Sequence, residues 1–366
     1  MTRDAGGRPP LRIATVGFQG FDNIGDEAIL TGIEAVLAHH NARVTTVFSG
    51  PHPACITAFP AARRVATRRH LPDVGALRVL RRTDVLILAG GGIFNDHWTA
   101  VIPRYTAWVL AARVAGARVA WVGVGVGPIR RRWLRWLARL AARASTLVLV
   151  RDSASAELLG WAPGARVIPD PSLFNPAPSP AAASGELGIV VRAPTRRDAR
   201  REAELLDAIV TVAGAAAARG LRPVMLTMAG QTDRPFADAV RAALGRAGGP
   251  DVPCEALGPT PKAAIERLGR LSGLITLRLH GLLLGALAGV PSLPIAYDDK
   301  VRAAADRLGL GDLVVALANV STVDLLDRLK VAEGDDRRSA TRKRVQALRA
   351  EGVGVAQALM AIGRRR

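Results

Sequence analysis

The stretch GLITLRLHGLLLGALAGVPSLPIAYDDKV, Gly273 to Val301, inserts an Arg and a His, Arg278 and His280, between an apolar strand and an almost wholly apolar helix. Burying such groups without partners is costly, so they either face a ligand or are satisfied by backbone carbonyls and a carboxylate. Arg192 ends a second apolar run, GIVVR, at what would be the equivalent edge of a sheet. Two guanidinium groups placed there suit bidentate recognition of a carboxylate and a phosphate, and His280 is a residue type that can transfer a proton to a bound anion.

A second group of residues lies near the N-terminus, in GFQGFDNIGDEAIL, Gly17 to Leu30. The stretch follows a short apolar run, LRIATV, where many nucleotide-binding proteins carry a phosphate loop. Yet it holds Asp22, Asp26 and Glu27 and no Lys or Arg, and it matches neither GxGxxG nor GxxxxGK[ST]. Gly17, Gly20 and Gly25 allow tight turns. Asn23 and Asp26 either accept hydrogen bonds from sugar hydroxyls or set the start of a helix, and Glu27 reads as a residue of the first helical turn that opposes the dipole.

Three more strand ends are rich in glycine or caps. In LILAGGGIFND, Leu86 to Asp96, successive backbone N–H groups around Gly91 and Gly92 can converge on an anion or a sugar, or the triplet is a crowded packing point. WVGVGVGPI follows at Trp121 to Ile129, and VRDSASAELL at Val150 to Leu159 offers Asp152 and Ser153 as caps. His97, His39 and His40 have no comparable setting.

These residues need elements to hold them. Short apolar runs alternate with longer helical patterns along the whole chain, as in parallel sheets covered on both faces. The runs at Leu11 to Val16, Val44 to Phe48, Val85 to Ala89, Val119 to Val124 and Thr146 to Val150 predict one sheet, with a helix over Ala28 to His40. A second series at Leu187 to Val191, Pro223 to Thr227, Leu274 to Thr276 and Ser292 to Ile295 predicts another. Its helices are expected at Arg200 to Arg219, Pro235 to Arg246, Thr260 to Gly269 and Asp299 to Leu308. PDPSLFNPAPSPAAASG, Pro169 to Gly185, reads as an exposed linker. The expected fold class is α/β, two Rossmann-like domains with parallel sheets facing across a cleft: residues 1–175, residues 186–330, and a basic C-terminal helix in 331–366. Ligands in such sheets bind at the carboxyl ends of the strands.

The chain has 366 residues and a formal charge of +19, with 46 of its 50 basic residues Arg. That bias reflects base composition as much as function, and the charge is spread along the chain, so no nucleic-acid partner is expected. The clusters Arg130 to Arg139 and Arg337 to Arg344 read as solvated helix faces, with contact to anionic lipid heads or an anionic substrate as the alternative. Cys55 and Cys254 are in no metal-ligand or disulfide pattern. The N-terminal MTRDAGGRPP has no apolar signal region, and His280, Pro291 and Pro294 interrupt the most apolar stretch. A cytoplasmic location is expected, peripheral to the inner membrane face at most; the pattern does not fix an oligomeric state.

The blocks GFQGFDNIGDEAIL, LAGGGIFND, GVGVGPI, VRDSAS, DPSLF and LRLHGLLLGALAGVPSLPIAYDDKV, in this order from about Arg12 to Leu310, resemble the polysaccharide pyruvyl transferase family, the CsaB-like enzymes. The resemblance implies a GT-B-like arrangement, phosphoenolpyruvate as donor substrate with no further cofactor and no metal, and a sugar diol of a cell-surface glycan or its lipid-linked precursor as acceptor. It implies that Arg278, His280 and, less directly, Arg192 serve donor binding and catalysis. Asp26 is then the candidate to accept a hydroxyl proton, with Asn23, Gly25, Gly91 and Gly92 on the acceptor side. Phe94 and His97 flank the glycine triplet in a region expected to vary with the acceptor. A nucleotide-sugar glycosyltransferase and a non-catalytic glycan-assembly protein remain alternatives.

Overall fold

The computed structural model describes residues 10–50, 62–66, 70–162, 164–179, 181–192, 199–296, 298–322 and 325–364. Cys55 and nearly all of the N-terminal segment lie outside them. The chain forms two compact units, Met1–Asn175 with Leu348–Arg366, and Pro176–Ala347.

The first unit alternates strand and helix: β1 (Ile13–Val16), α1 (Ile24–Ala38), β2 (Val44–Ser49), β3 (Arg63–Ala66), α2 (Val74–Leu80), β4 (Val85–Phe94), α3 (Val101–Val114), β5 (Arg118–Val126), α4 (Arg132–Ala144), β6 (Leu147–Val150), α5 (Ser153–Leu158) and β7 (Arg166–Val167). All pairings are parallel, in the order β3-β2-β1-β4-β5-β6-β7. Parallel neighbours need crossover connections, and helices supply them except between β2 and β3, whose connection lies outside the described residues. The pleat decides the two layers. Val85, Ile87 and Ala89 join α1 in one core, whereas Leu86 and Leu88 join α2, α3 and α4 in the other.

The second unit contains β8 (Glu186–Val190), α6 (Ala199–Ala218), β9 (Arg222–Thr227), α7 (Gly230–Arg246), β10 (Cys254–Ala256), α8 (Pro261–Leu268), β11 (Gly273–Thr276), α9 (Leu279–Ala288), β12 (Ser292–Ala296), α10 (Asp299–Leu308), β13 (Val315–Ala316) and α11 (Leu325–Glu333). Its sheet, again all parallel, runs β10-β9-β8-β11-β12-β13. In each sheet the chain begins in the middle, winds to one edge, then returns to wind the other way. The reversal falls between β1 and β4 in one unit and between β8 and β11 in the other, and such switch points are where open α/β sheets leave a ligand crevice.

The last helix, α12 (Asp335–Arg364), contributes its first part to the second unit and its remainder to the first. Val355, Ala356, Leu359, Met360 and Ile362 are buried in the core that also holds α1. The proline-rich segment is an exposed linker only from Pro176 onward. Pro171, Ser172, Leu173 and Phe174 form a buried 3₁₀ turn against α1, where Asn175 Nδ2 donates to Ala28 O at 2.7 Å. The four strands the sequence did not announce, β3, β7, β10 and β13, have four residues or fewer. Among the described residues no helix is long and apolar enough to cross a membrane.

Candidate functional site

At the first switch point the helix α1 starts at Ile24, earlier than the apolar pattern predicted. Gly25 is therefore a buried residue of the first helical turn and does not turn the chain. Asn23 is the N-cap: its Oδ1 accepts from Gly25 N at 3.2 Å, and its Nδ2 donates to Asp26 Oδ2 at 2.6 Å. Asp26, itself buried, lies directly over the glycine triplet at the end of β4. Gly91 has φ of +75°, and a Cβ there would stand 2.8 Å from Asp26 Oδ1. The structure thus brings Asn23, Asp26 and Gly91 together, while Gly92 is half-buried with open space above it. Gly91→Ala meets both the left-handed backbone and the carboxylate, and is expected to cost about 1–3 kcal/mol of stability, read as a shifted denaturant midpoint.

Several supporting residues escaped the sequence reading. Gln19 is fully buried and its Nε2 donates to Ala89 O at 3.3 Å. Phe18 and Phe21 of the loop form a cluster of edge-to-face rings with His70 and Tyr105. Burial, with the charge of Arg104, lowers the His70 pKa to about 4 against a hydrogen bond with the Gly17 backbone. Phe94 belongs to this layer too, buried and stacked on Trp121, so it is core and not a variable acceptor contact. His97 is exposed.

Glu27 is buried and its Oε1 accepts from Gly20 N at 2.7 Å, holding the loop to the helix. Burial raises its pKa to about 8; the Gly20 hydrogen bond opposes this, the Asp26 charge adds to it, and Arg64 offsets part. The folded pKa stands above the unfolded value of about 4.3, so the folded chain binds this proton more tightly. The contribution is full below about pH 4 and is lost as pH rises through about 8. The melting temperature of the wild type is accordingly expected to fall, relative to that of Glu27→Gln, between about pH 5 and about pH 9.

Near the Gly91 backbone lies a buried cation. Arg151, at the end of β6, covers Gly125, where a Cβ would fall 2.4 Å from its Nη2. It pairs with Asp170 at 3.4 Å and Asp152 at 3.6 Å. Asp152 caps α5, accepting from Ser155 N at 2.8 Å, while Ser153 is the first residue of that helix. An Arg directly after an apolar strand is the cue that singled out Arg278, and here it passed unread.

At the second switch point, Val190 of β8 lies in register with Thr276 of β11. Arg192 and Arg278, each two residues further on, therefore leave neighbouring strands at the same edge. Arg278 is the N-cap residue of α9, and its Nη2 donates to Asp233 Oδ1 and, at 3.5 Å, to Thr232 Oγ1. Asp233 is 0% exposed, and its Oδ2 accepts from Met228 N and Ala229 N at 3.0 Å each. His280, half-buried, is the second residue of α9. Arg192 is half-buried and close enough to Asp298 to hold its pKa down: burial alone would raise that carboxyl, but Lys300 at 2.9 Å and the Arg192 charge outweigh it. Among the described residues no group of His, Cys, Asp or Glu is arranged to hold a metal ion.

The profile of the polysaccharide pyruvyl transferase family matches residues 23–299, a span that runs from the α1 cap to the start of α10. The chain belongs to that family. It is a transferase-family protein of polysaccharide modification, and both switch points lie within the matched span. No curated protein matches the chain in sequence. Similar solved structures include S. aureus MnaA with UDP, at TM-score 0.62 and 11% identity over 96% of this chain and 95% of that one. A Neisseria meningitidis UDP-GlcNAc 2-epimerase bound to UDP-GlcNAc reaches 0.59 at 11% identity over 96% and 100%. The spinosyn rhamnosyltransferase SpnG with thymidine diphosphate reaches 0.54 at 14% over 96% and 100%. At such identities the likeness is one of fold, the two Rossmann-like domains of GT-B glycosyltransferases and epimerases.

Proposed function

We propose that this pyruvyl transferase family member moves the pyruvyl group of phosphoenolpyruvate onto a sugar diol of a cell-surface glycan or its lipid-linked precursor, forming a pyruvate ketal and releasing phosphate. One observation carries the reading: Arg192 and Arg278 leave adjacent strands at a switch point, and His280 follows Arg278 two residues on, in the first turn of α9. A compact donor with two anionic groups suits two forked cations, for its carboxylate and its phosphate. His280 gives a proton to the methylene carbon of the donor, which becomes a methyl group and leaves C2 electrophilic. One hydroxyl of the diol attacks C2, the C2–O bond to phosphate breaks, and the second hydroxyl closes the ketal. The diol loses two protons in all; one restores His280 and the other leaves on the phosphate.

On the acceptor side, Asp26 receives from the diol the hydroxyl proton that finally leaves on the phosphate, and Asn23 fixes its carboxylate through the 2.6 Å hydrogen bond. The bare backbone of Gly92, with open space above it, lets a sugar approach closely, while Gly25 in the first turn of α1 and Gly91 under the Asp26 carboxylate fix where that carboxylate stands. Unchanged turnover in Asp26→Ala with acceptor binding intact removes this role.

The test is incubation of the purified protein with phosphoenolpyruvate, or with nucleotide sugars, plus lipid-linked or synthetic glycan acceptors, following phosphate release and product mass. The similar structures hold UDP, UDP-GlcNAc or thymidine diphosphate, which makes nucleotide sugars the necessary second arm. Pyruvyl transfer from phosphoenolpyruvate supports the proposal. Glycosyl transfer from a nucleotide sugar, or binding with no product from either donor, overturns it.

A further inference from the structure

The helix α4, RWLRWLARLAARA, is amphipathic in an unusual sense. Its inward stripe, Leu134, Ala138, Ala141 and Ala142, is buried as expected. Its outward side also carries large apolar groups, with Trp133 49% and Trp136 61% exposed. These two lie one turn apart on one face, followed a turn later by the half-buried Leu140. Between and around them stand Arg130, Arg131, Arg132, Arg135, Arg139 and Arg143, with no acidic residue from Ile129 to Arg151. Among the described residues none of these six forms an ion pair with a carboxylate. Arg135 and Arg139 donate to the carbonyls of Ile129 and Leu158.

Two further tryptophans are tied to the same helix. Asp96 accepts from Arg130 N at 2.5 Å, and Thr99 Oγ1 accepts from Arg131 Nη1 at 2.9 Å, which holds the loop of Trp98, 70% exposed, at the start of α4. Gly160 lies against the Arg139 guanidinium, so Trp161, 55% exposed, adjoins the later part of the helix. Trp161 has φ of +47°, a conformation that bulky side chains rarely adopt. Four of the chain's six tryptophans therefore crowd one basic helix with their rings in solvent. Helix stability does not explain this. The first turn holds no acid and Arg131 gives no side-chain cap, so positive charge meets the positive end of the dipole.

We propose that the α4 face of the first unit docks on the surface of an anionic phospholipid bilayer, with Trp98, Trp133, Trp136 and Trp161 at headgroup depth and the arginines on lipid phosphates. Tryptophan is the side chain that favours this interface, having an apolar body and one polar N–H. Basic residues beside it gain from the negative surface potential. A helix with Arg on its polar flanks and Trp and Leu between them is the pattern of a monotopic contact. Nucleic acid is the poorer match, because the apolar groups form a stripe along one helix face and not separate platforms along a groove. The inference is independent of the reaction proposed above, and of the two basic clusters with lipid contact as their alternative, Arg130 to Arg139 and Arg337 to Arg344, it selects the first.

The experiment is vesicle co-sedimentation of the purified full chain, with phosphatidylcholine alone and with about a third phosphatidylglycerol. Binding is expected only with the anionic vesicles and weakens with salt. Trp133→Ser with Trp136→Ser, and separately Arg132→Glu with Arg143→Glu, are each expected to lower the partition coefficient at least tenfold, with unchanged thermal melts because all four side chains are exposed. Lys343→Glu with Arg344→Glu on α12 should leave it unchanged. No binding to anionic vesicles overturns the proposal. So does binding that survives both α4 variants and is lost in the α12 variant, a dimer by sedimentation velocity that the Trp133 and Trp136 changes dissolve in the absence of lipid binding, or a gel shift with RNA or DNA in that absence.

Discussion

Arg278→Ala is expected to weaken donor binding about thirtyfold to several thousandfold, while His280→Ala leaves that binding nearly intact and lowers turnover by about 10²–10⁴. The first figure follows from removing one partner of a hydrogen-bonded charge pair that is largely withdrawn from water, a loss of about 2–5 kcal/mol. Arg278 is 12% exposed, and its guanidinium is aimed by Asp233. The second follows from the role of a proton donor, which acts at the transition state and contributes little to ground-state affinity. Arg278→Lys is the companion variant. It keeps a cation for Asp233 but loses the planar fork, so it should fold normally and still bind donor weakly. Calorimetric donor binding and phosphate release, measured on all three, decide the matter. Equal loss of binding in the Ala variants makes His280 a binding residue only, and full turnover in His280→Ala removes the proton-transfer step.

How much of this was legible beforehand depended on length and on chain neighbours. The long strands, such as Val85–Phe94 and Arg118–Val126, and the helix over Asp299–Leu308 have unbroken apolar or periodic patterns, and they form where those patterns predict. Strands of two or three residues at the sheet edges, such as Arg166–Val167 and Cys254–Ala256, have too few positions to show a period. Proline misled at α7. Read as a first helical residue, Pro235 put the helix start five residues late, and Asp233 then fell in a loop; the helix in fact begins at Gly230 and carries the proline inside it. Prolines also made 169–175 look like open linker, although Phe174 and Asn175 pack on α1.

The site residues divide on similar lines. Arg278, His280 and Asp26 stood out because a charged group beside an apolar run demands a reason. Asp170 and Asp233 did not, since each meets its Arg only through the fold, from 19 and 45 residues away. His70 and Gln19 were unreadable for the same cause: their work is to hold the loop after β1, and the contacts that do so come from α3 and β4.

Asp233 offers the second large effect, and it tests whether a residue remote in sequence aims the donor-side cation. Its two carboxylate oxygens take four donors: Met228 N and Ala229 N on one, and Arg278 Nη2 and Thr232 Oγ1 on the other. Asparagine is nearly the same size but has one acceptor oxygen, so Asp233→Asn turns an N–H₂ group toward either the backbone donors or the guanidinium. At 0% exposure water cannot relieve that conflict. A stability loss of about 3–5 kcal/mol is expected, and in the folded protein a weakened donor affinity with turnover at saturation less affected. Loss of packing alone would lower stability without changing donor affinity. A double-mutant cycle with Arg278→Gln separates the two cases. If Asp233 acts through Arg278, the double variant binds donor no more weakly than Arg278→Gln by itself; if the two losses simply add, Asp233 supports the β9–α7 turn and leaves the aim of Arg278 to other contacts.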